Sequence, residues 1–382
     1  MPWKQVDMET LRQEFTALAR HDDVNFSALC ARFGISRKTG YKWLKRLQTE
    51  GPDGLVDRSR RPATIPLHTS VLAAERVVEL RMQHPTWGGR KIQRRLTDLG
   101  HIEVPTPSTI TRILHRRGLI AAYASANSTP WQRFEHAQPN DLWQMDFKGN
   151  FETGQATCHP LTIIDDHSRY NIILKACLHP NTEEVQQALV ETFQRYGMPV
   201  RINTDNGAPW GSPSQVEHGI TRLTVWLIQL GINISHSRPA HPQTNGKDER
   251  FHRTLKADVL HGRHFFDLNE VQDEFDHWRS IYNHQRPHEG IGLATPATRY
   301  RPSRLAYPAQ LPEIVYHDSD LVQIVGWDGQ IKLHGRRFRV SKALHRHQIA
   351  ARPVPQMDGL YELYFAHHRF GAIDLRNLKM QD

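Results

Sequence analysis

An aspartate interrupts an apolar, strand-like run, Trp143-Gln-Met-Asp146-Phe147, and this placement constrains the fold more than any other feature of the chain. Alternate residues of a strand share a face, so Asp146 is expected to point with Gln144 and Lys148 to one side and Met145 and Phe147 to the other. A carboxylate in such a run is expensive to bury alone, so the fold must bring it a partner. Two more acids occupy comparable places. Asp205 closes the run 200–204, where Asn206-Gly207 turns the chain, and a plain turn aspartate is the alternative there. Glu249 opens a helix in which Phe251, Leu255 and Val259 recur every four residues as a buried stripe. Glu249, Arg253 and Lys256 follow the same period on another face with His252 beside them, one acid among three basic groups. An ordinary surface helix is the alternative, but the Pro/Gly-containing segment 238–246 before it reads as an active-site loop.

Carboxylates at the ends of different elements can converge hard oxygen ligands on Mg²⁺. Two such ions clamp the attacking and leaving oxygens of an in-line phosphoryl displacement. Three carboxylates within about 4 Å repel by around 4 kcal/mol per pair at an intermediate dielectric, so without cations they take up protons instead. The pattern is that of a metal-dependent enzyme of phosphoryl transfer, and a chain that cuts and joins DNA is the expectation. Asp165 and Asp166, at a hairpin before His167-Ser168-Arg169, read as turn residues, and His288 reads as packing beneath the core.

The basic excess is unevenly placed. Residues 1–140 hold 22 Lys and Arg against 13 Asp and Glu, whereas residues 141–382 balance at 27 against 27, which puts polyanion binding in the first third. Within it, 26–33 and 36–47 form a helix-turn-helix pattern about Gly34, with Ser27 and Ser36 as expected N-caps and Leu29, Phe33, Ile35, Leu44 and Leu47 as a shared core. Arg37, Lys38, Tyr41, Lys42 and Lys45 face outward as candidate DNA contacts. A second helical unit follows, with helices over 71–82, 89–99 and, capped by Ser108, 109–117. Arg112, Arg116 and Arg117 project from the last, with His115. The expected domains are thus 1–61 and 62–123 (helical, helix-turn-helix), a linker 124–139, an α/β unit 140–305 and an all-β barrel at 308–382. Strands are expected over 143–151, 157–165, 170–177 and 200–204, and helices over 182–196, 214–230, 246–260 and 268–283. The tail has short alternating runs at 313–316, 321–325, 330–333, 336–340, 348–351, 360–365 and 370–374.

Cys30, Cys158 and Cys177 show no Cys-x-x-Cys spacing, which argues against a zinc module and fits a reducing cytoplasm. No apolar run approaches a membrane span, the first residues lack a signal peptide's apolar stretch, and no phosphate-binding Gly-x-x-x-x-Gly-Lys-Ser/Thr loop implies a nucleotide cofactor.

Five motifs in order carry a resemblance: Asn140-Asp-Leu-Trp-Gln-Met-Asp146-Phe-Lys, Ile164-Asp-Asp-His-Ser-Arg169, Asn203-Thr-Asp205-Asn-Gly, His241-Pro-Gln-Thr-Asn-Gly-Lys-Asp-Glu249-Arg, and Tyr282-Asn-His-Gln-Arg-Pro-His288 ahead of Thr295-Pro296. Residues 140–300 resemble the integrase-type core of DDE transposases, and the whole chain resembles bacterial insertion-sequence transposases. That resemblance implies a ribonuclease-H-like fold, with Asp146, Asp205 and Glu249 as ligands of two Mg²⁺ ions (Mn²⁺ a substitute) and Lys256 near the scissile phosphate. It implies a bacterial, nucleoid-associated enzyme that binds terminal inverted repeats, nicks the ends and joins the 3′-hydroxyl to target DNA, as a homodimer or higher oligomer. The alternatives are a ribonuclease-H-like nuclease without strand transfer and an inactive DNA-binding regulator. The 43 residues between Asp205 and Glu249 exceed the superfamily's common spacing, so an extra loop or helix extension is expected near 209–222.

Overall fold

The computed structural model describes residues 7–59, 69–120, 135–211, 220–236 and 246–376, in two compact units, 1–68 and 69–382. The first unit has three helices: α1 (Met8–Leu18), α2 (Phe26–Arg32) and α3 (Arg37–Glu50). Ser36 caps α3 as expected, its Oγ accepting the Thr39 N–H, and Gly34 takes the positive φ of the intervening turn. The cap of α2 is Asn25, not Ser27: Asn25 Oδ1 accepts from the N–H groups of both Ser27 and Ala28, so the helix starts earlier than serine spacing suggested. The core centres on Phe15, Leu29 and Cys30, with Phe33 and Ile35 against them, while Leu44 and Leu47 stay half-buried. Helix α1, absent from the sequence expectation, supplies Phe15. Gly40 lets α3 approach, because a Cβ there would lie 2.9 Å from Cys30 Sγ, Phe15 Cζ and Phe26 Cζ.

The second unit begins with α4 (Val71–Gln83), α5 (Gly89–Asp98) and α6 (Pro107–Arg116) around buried Val77, Trp87, Ile92, Ile110 and Leu114. The cap of α6 is Thr106 rather than Ser108; Pro107 occupies the first helical turn, where its missing N–H costs nothing. These helices dock on the α/β part. Ile281 packs against their core, Thr86 Oγ1 donates to Asp258 (2.6 Å), and Arg95 donates to Gln285 (3.1 Å).

The α/β part is a mixed sheet of β1 (Trp143–Phe147), β2 (Phe151–Glu152), β3 (Thr157–Asp165), β4 (Asn171–Cys177), β5 (Arg201–Thr204) and β6 (Asn233–His236). β1 pairs antiparallel with β3 and parallel with β5; β3 also pairs with β4, and β5 pairs parallel with β6. The run expected as one strand over 143–151 breaks after Phe147, with Gly149 at positive φ. β6 was not foreseen, since Asn-Ile-Ser-His shows no apolar alternation. On one face, Trp143, Met145 and Ile163 pack against α7 (Thr182–Tyr196) and α8 (Arg222–Gln229). On the other, Cys158, Ile164 and Leu174 meet α9 (Gly246–Leu255) and α10 (Leu268–His284), so Gln144 and Asp146 face α9. Phe251, Leu255 and Val259 are all buried there, as their spacing predicts. A turn of π-helix, Lys256–Leu260, continues α9, and the short α11 (Pro296–Arg299) follows α10.

The tail is not a closed barrel. β7 (Leu321–Ile324), β10 (Gln348–Pro353), β11 (Leu360–Phe365) and β12 (His368–Asp374) form an open sheet in the order β12-β11-β10-β7, and β8 (Gln330–Leu333) with β9 (Arg336–Arg339) is a separate ribbon. Residues 313–316 form no strand. One apolar cluster holds Ile349, Leu363 and Phe365 of the sheet, Ile331 and Leu333 of the ribbon, and Ile220, Val225 and Ile228 in and beside α8, so sheet, ribbon and helix bury their apolar faces together. Most of the expected linker, and the loop residues 212–219 and 237–245, lie outside the described residues.

Candidate active site

The site forms where β1, β5 and α9 meet. Asp146 is partly buried on β1, and its carboxyl is raised from 3.8 to about 7, first by burial, then by the Asp205 carboxylate, and with a smaller contribution from Glu249. Asp146 thus lies in the field of both other expected acids, although the ligand atoms that cluster within 4.8 Å of its carboxylate are those of Asp248 and His252 rather than of Asp205 and Glu249. Asp205 follows β5 and is exposed. Its Oδ1 accepts from the Gly207 N–H (2.9 Å) and from the indole Nε1 of Trp210, which is buried and stacked on Phe147. Both donors fall on Oδ1. The Asp205 carbonyl accepts from Thr204 Oγ1 and meets His236 Nδ1, each at 3.0 Å, which ties this acid to β6. Glu249 is exposed in the first turn of α9.

The residues around Glu249 differ from the expected one acid among three basic groups. Arg253 and Lys256 are exposed, but His252 turns inward, and burial and then Lys148 lower its imidazole to about 4, so it is uncharged at neutral pH. Its Nε2 meets Thr162 Oγ1 at 2.8 Å, and Thr162 donates to the Asp146 carbonyl at 3.0 Å. A hydrogen-bonded chain thus joins α9, which carries Glu249, to β1, which carries Asp146. Lys148 has its ammonium lowered by burial and by nearby Lys256. Asp248, which sequence reasoning missed, is fully buried, and its carboxyl stands well above the ordinary range through burial, then Asp146. The signal was present: on a helix, the position before Glu249 and the one three after it lie on one side, so Asp248 and His252 share a face.

Asp165 and Asp166 are structural knots, in keeping with the expected turn role. Asp165 accepts from the Asn140 and Ser168 N–H groups and the Ser168 hydroxyl. Asp166 accepts from the His136 N–H, Gln144 Nε2 and Lys247 Nζ, the last fixing the start of α9. His288 packs edge-on against Tyr282, with its ring held uncharged by burial.

Away from this site, Arg37, Lys38, Tyr41, Lys42 and Lys45 are all exposed on α3, and Arg112, Arg116 and Arg117 at the end of α6.

Comparison with known proteins agrees with this architecture. Two integrase core domain models match residues 136–242 and 230–296, a helix-turn-helix model matches 13–63, and a homeodomain-like model matches 39–114. The C-terminal domain model of the IS481 family transposases matches 320–381. The chain belongs to the insertion-sequence transposases of the integrase-core superfamily. Similar proteins include an insertion element IS476 protein of Xanthomonas euvesicatoria, 27% identical over 64% of this chain and 69% of that one. Another is an insertion element IS407 protein of Burkholderia multivorans, 24% identical over 65% of this chain and 89% of that one. The IS904 transposase of Lactococcus lactis is 26% identical over 43% of this chain and 63% of that one. A solved HTLV-2 integrase core has a TM-score of 0.32 at 16% identity, covering 43% of this chain and 97% of that one, a likeness too loose to carry argument. Within the family chain, the acids of interest fall inside the two integrase-core matches, and α3 lies within the helix-turn-helix match.

Proposed function

We propose that the chain is a DNA transposase: it binds the terminal inverted repeats of a mobile element through its helix-turn-helix part, nicks the ends, and joins each 3′-hydroxyl to target DNA. The observation that supports this reading is the partly buried Asp146 carboxyl, raised to about 7 by burial and by Asp205 and Glu249, within a chain that matches integrase core models. Such a set suits divalent metal, because a cation offsets the burial and like charge that otherwise drive the Asp146 carboxyl to hold a proton. Asp146, Asp205 and Glu249 would hold Mg²⁺ or Mn²⁺, and the bound ions supply charge neutralisation for attacking and leaving oxygens.

The chain's own residues do the positioning. Trp210 and Gly207 both donate to one oxygen of Asp205 and leave the other without either of these donors. The His252–Thr162 chain keeps α9 in register with β1, and Lys247 on Asp166 anchors the start of that helix. Lys256 and Arg253 supply positive charge for a DNA backbone, and the exposed bases of α3 suit phosphates and base edges of a major groove. Joining two ends calls for at least a dimer bridging both DNAs; scattering mass measured with and without end DNA checks this, a monomer in both cases opposing it. The deciding assay incubates the full chain and Mg²⁺ with a duplex bearing the element's end and a target duplex. Nicking and strand joining by the parent, with loss of both in Asp205→Asn, is expected. Unchanged Mg²⁺-dependent cleavage by Asp205→Asn refutes the assignment.

A further inference from the structure

The first turn of α9 carries a second acid aimed away from Glu249. Asp248 has no exposed surface, and neither of its carboxylate oxygens meets hydrogen-bond geometry with a donor among the described residues, although the Thr162 hydroxyl is near enough to act on its carboxyl. One turn along, His252 Nε2 lies 3.9 Å from Asp248 Oδ1. One ligand atom each from Asp146, Asp248 and His252 lies within 4.8 Å of the other two. The Thr162 hydroxyl beside them is committed, donating to the Asp146 carbonyl. A buried carboxyl without a donor is costly and rare, so an orphan turned into a cluster of ligand atoms points to an absent cation.

We propose that Asp146, Asp248 and His252 form a Zn²⁺ site on the interior side of α9, sharing only Asp146 with the Asp205 and Glu249 set. One imidazole nitrogen and two carboxylate oxygens, with a water in the fourth position, give zinc a tetrahedral set of ligand types that it accepts, whereas Mg²⁺ favours oxygen alone. Zinc–ligand bonds of about 2.0–2.1 Å bring the three atoms to within roughly 3.4 Å of one another. The side chains therefore close inward, and the ion, held by both His252 and Asp146, takes over the link between α9 and β1 that the His252–Thr162 bond makes without it. This site goes beyond the transposase reading and does not require strand transfer to occur.

The test is Zn²⁺ binding by the full chain against a competing chelator, in excess Mg²⁺, with thermal melts to confirm that each variant is folded. The parent is expected to bind Zn²⁺, Asp248→Asn and His252→Gln each to weaken binding by at least about tenfold, and Glu249→Gln to retain it. No binding by the parent, parent-like binding by Asp248→Asn, or loss in Glu249→Gln as complete as in Asp248→Asn overturns the proposal. A nicking assay on the same preparations separates the two readings: zinc bound by the parent and lost in Asp248→Asn, without Mg²⁺-dependent cleavage, supports the zinc site and refutes only the transposase.

Discussion

Replacing Asp146 by asparagine should stabilise the metal-free protein, and by an amount that grows with pH. The Asp146 carboxyl is raised from 3.8 to about 7 in the folded chain. At about 1.4 kcal/mol per factor of ten in the ionisation constant, that displacement corresponds to roughly 4 kcal/mol. The sign follows from proton counting. Between the unfolded and folded values the native state holds a proton that the unfolded chain has released, so stability falls as pH rises from about 4 to about 7. The full penalty persists above that. The substituted amide carries no charge and escapes it, although Asp248 remains and keeps part of the pH slope. The assay is urea unfolding of parent and Asp146→Asn with EDTA at pH 5 and pH 8.5. The variant should gain on the parent by a few kcal/mol between the two pH values, and Mg²⁺ at pH 8.5 should raise the parent more than the variant. A parent–variant difference independent of pH would show that burial and like-charge repulsion do not govern this carboxyl.

Three further outcomes follow from the packing and charge. Gly40→Ala should destabilise the first unit by a net of up to about 2 kcal/mol in a denaturant melt, because overpacking of roughly 1–3 kcal/mol against Phe15, Phe26 and Cys30 outweighs the roughly 1 kcal/mol gain in helix propensity. Lys42→Ala with Lys45→Ala should lower the slope of log affinity against log salt for end DNA by about 2, measured by fluorescence anisotropy; an unchanged slope removes both from the phosphate contacts. Lys247→Met leaves the buried Asp166 without its cation, though with the His136 and Gln144 donors, and should cost about 3 kcal/mol in a urea melt, whereas Lys247→Arg retains most of that stability.

Much of this protein was legible in the chain because the relevant signals are local. The helix Thr182–Tyr196 has the expected bounds, the stripe Phe251, Leu255 and Val259 is buried, and strand alternation placed Asp146 opposite Met145 and Phe147. Periodicity and turn chemistry depend on neighbours a few residues away, so sequence carries them. What required tertiary structure depends on which surface arrives from elsewhere. β6 exists because β5 offers a parallel edge to a segment without alternation of its own. The tail's sheet and ribbon share one core with residues in and beside α8, a partner that the tail's own alternation does not announce. Asp248 and His252 look like solvent-facing members of a polar run, yet the sheet packed against α9 makes one an orphaned interior acid and the other a neutral ring. Residue order alone thus determined which side chains share a face; burial, and with it charge, was decided by the partner each face met.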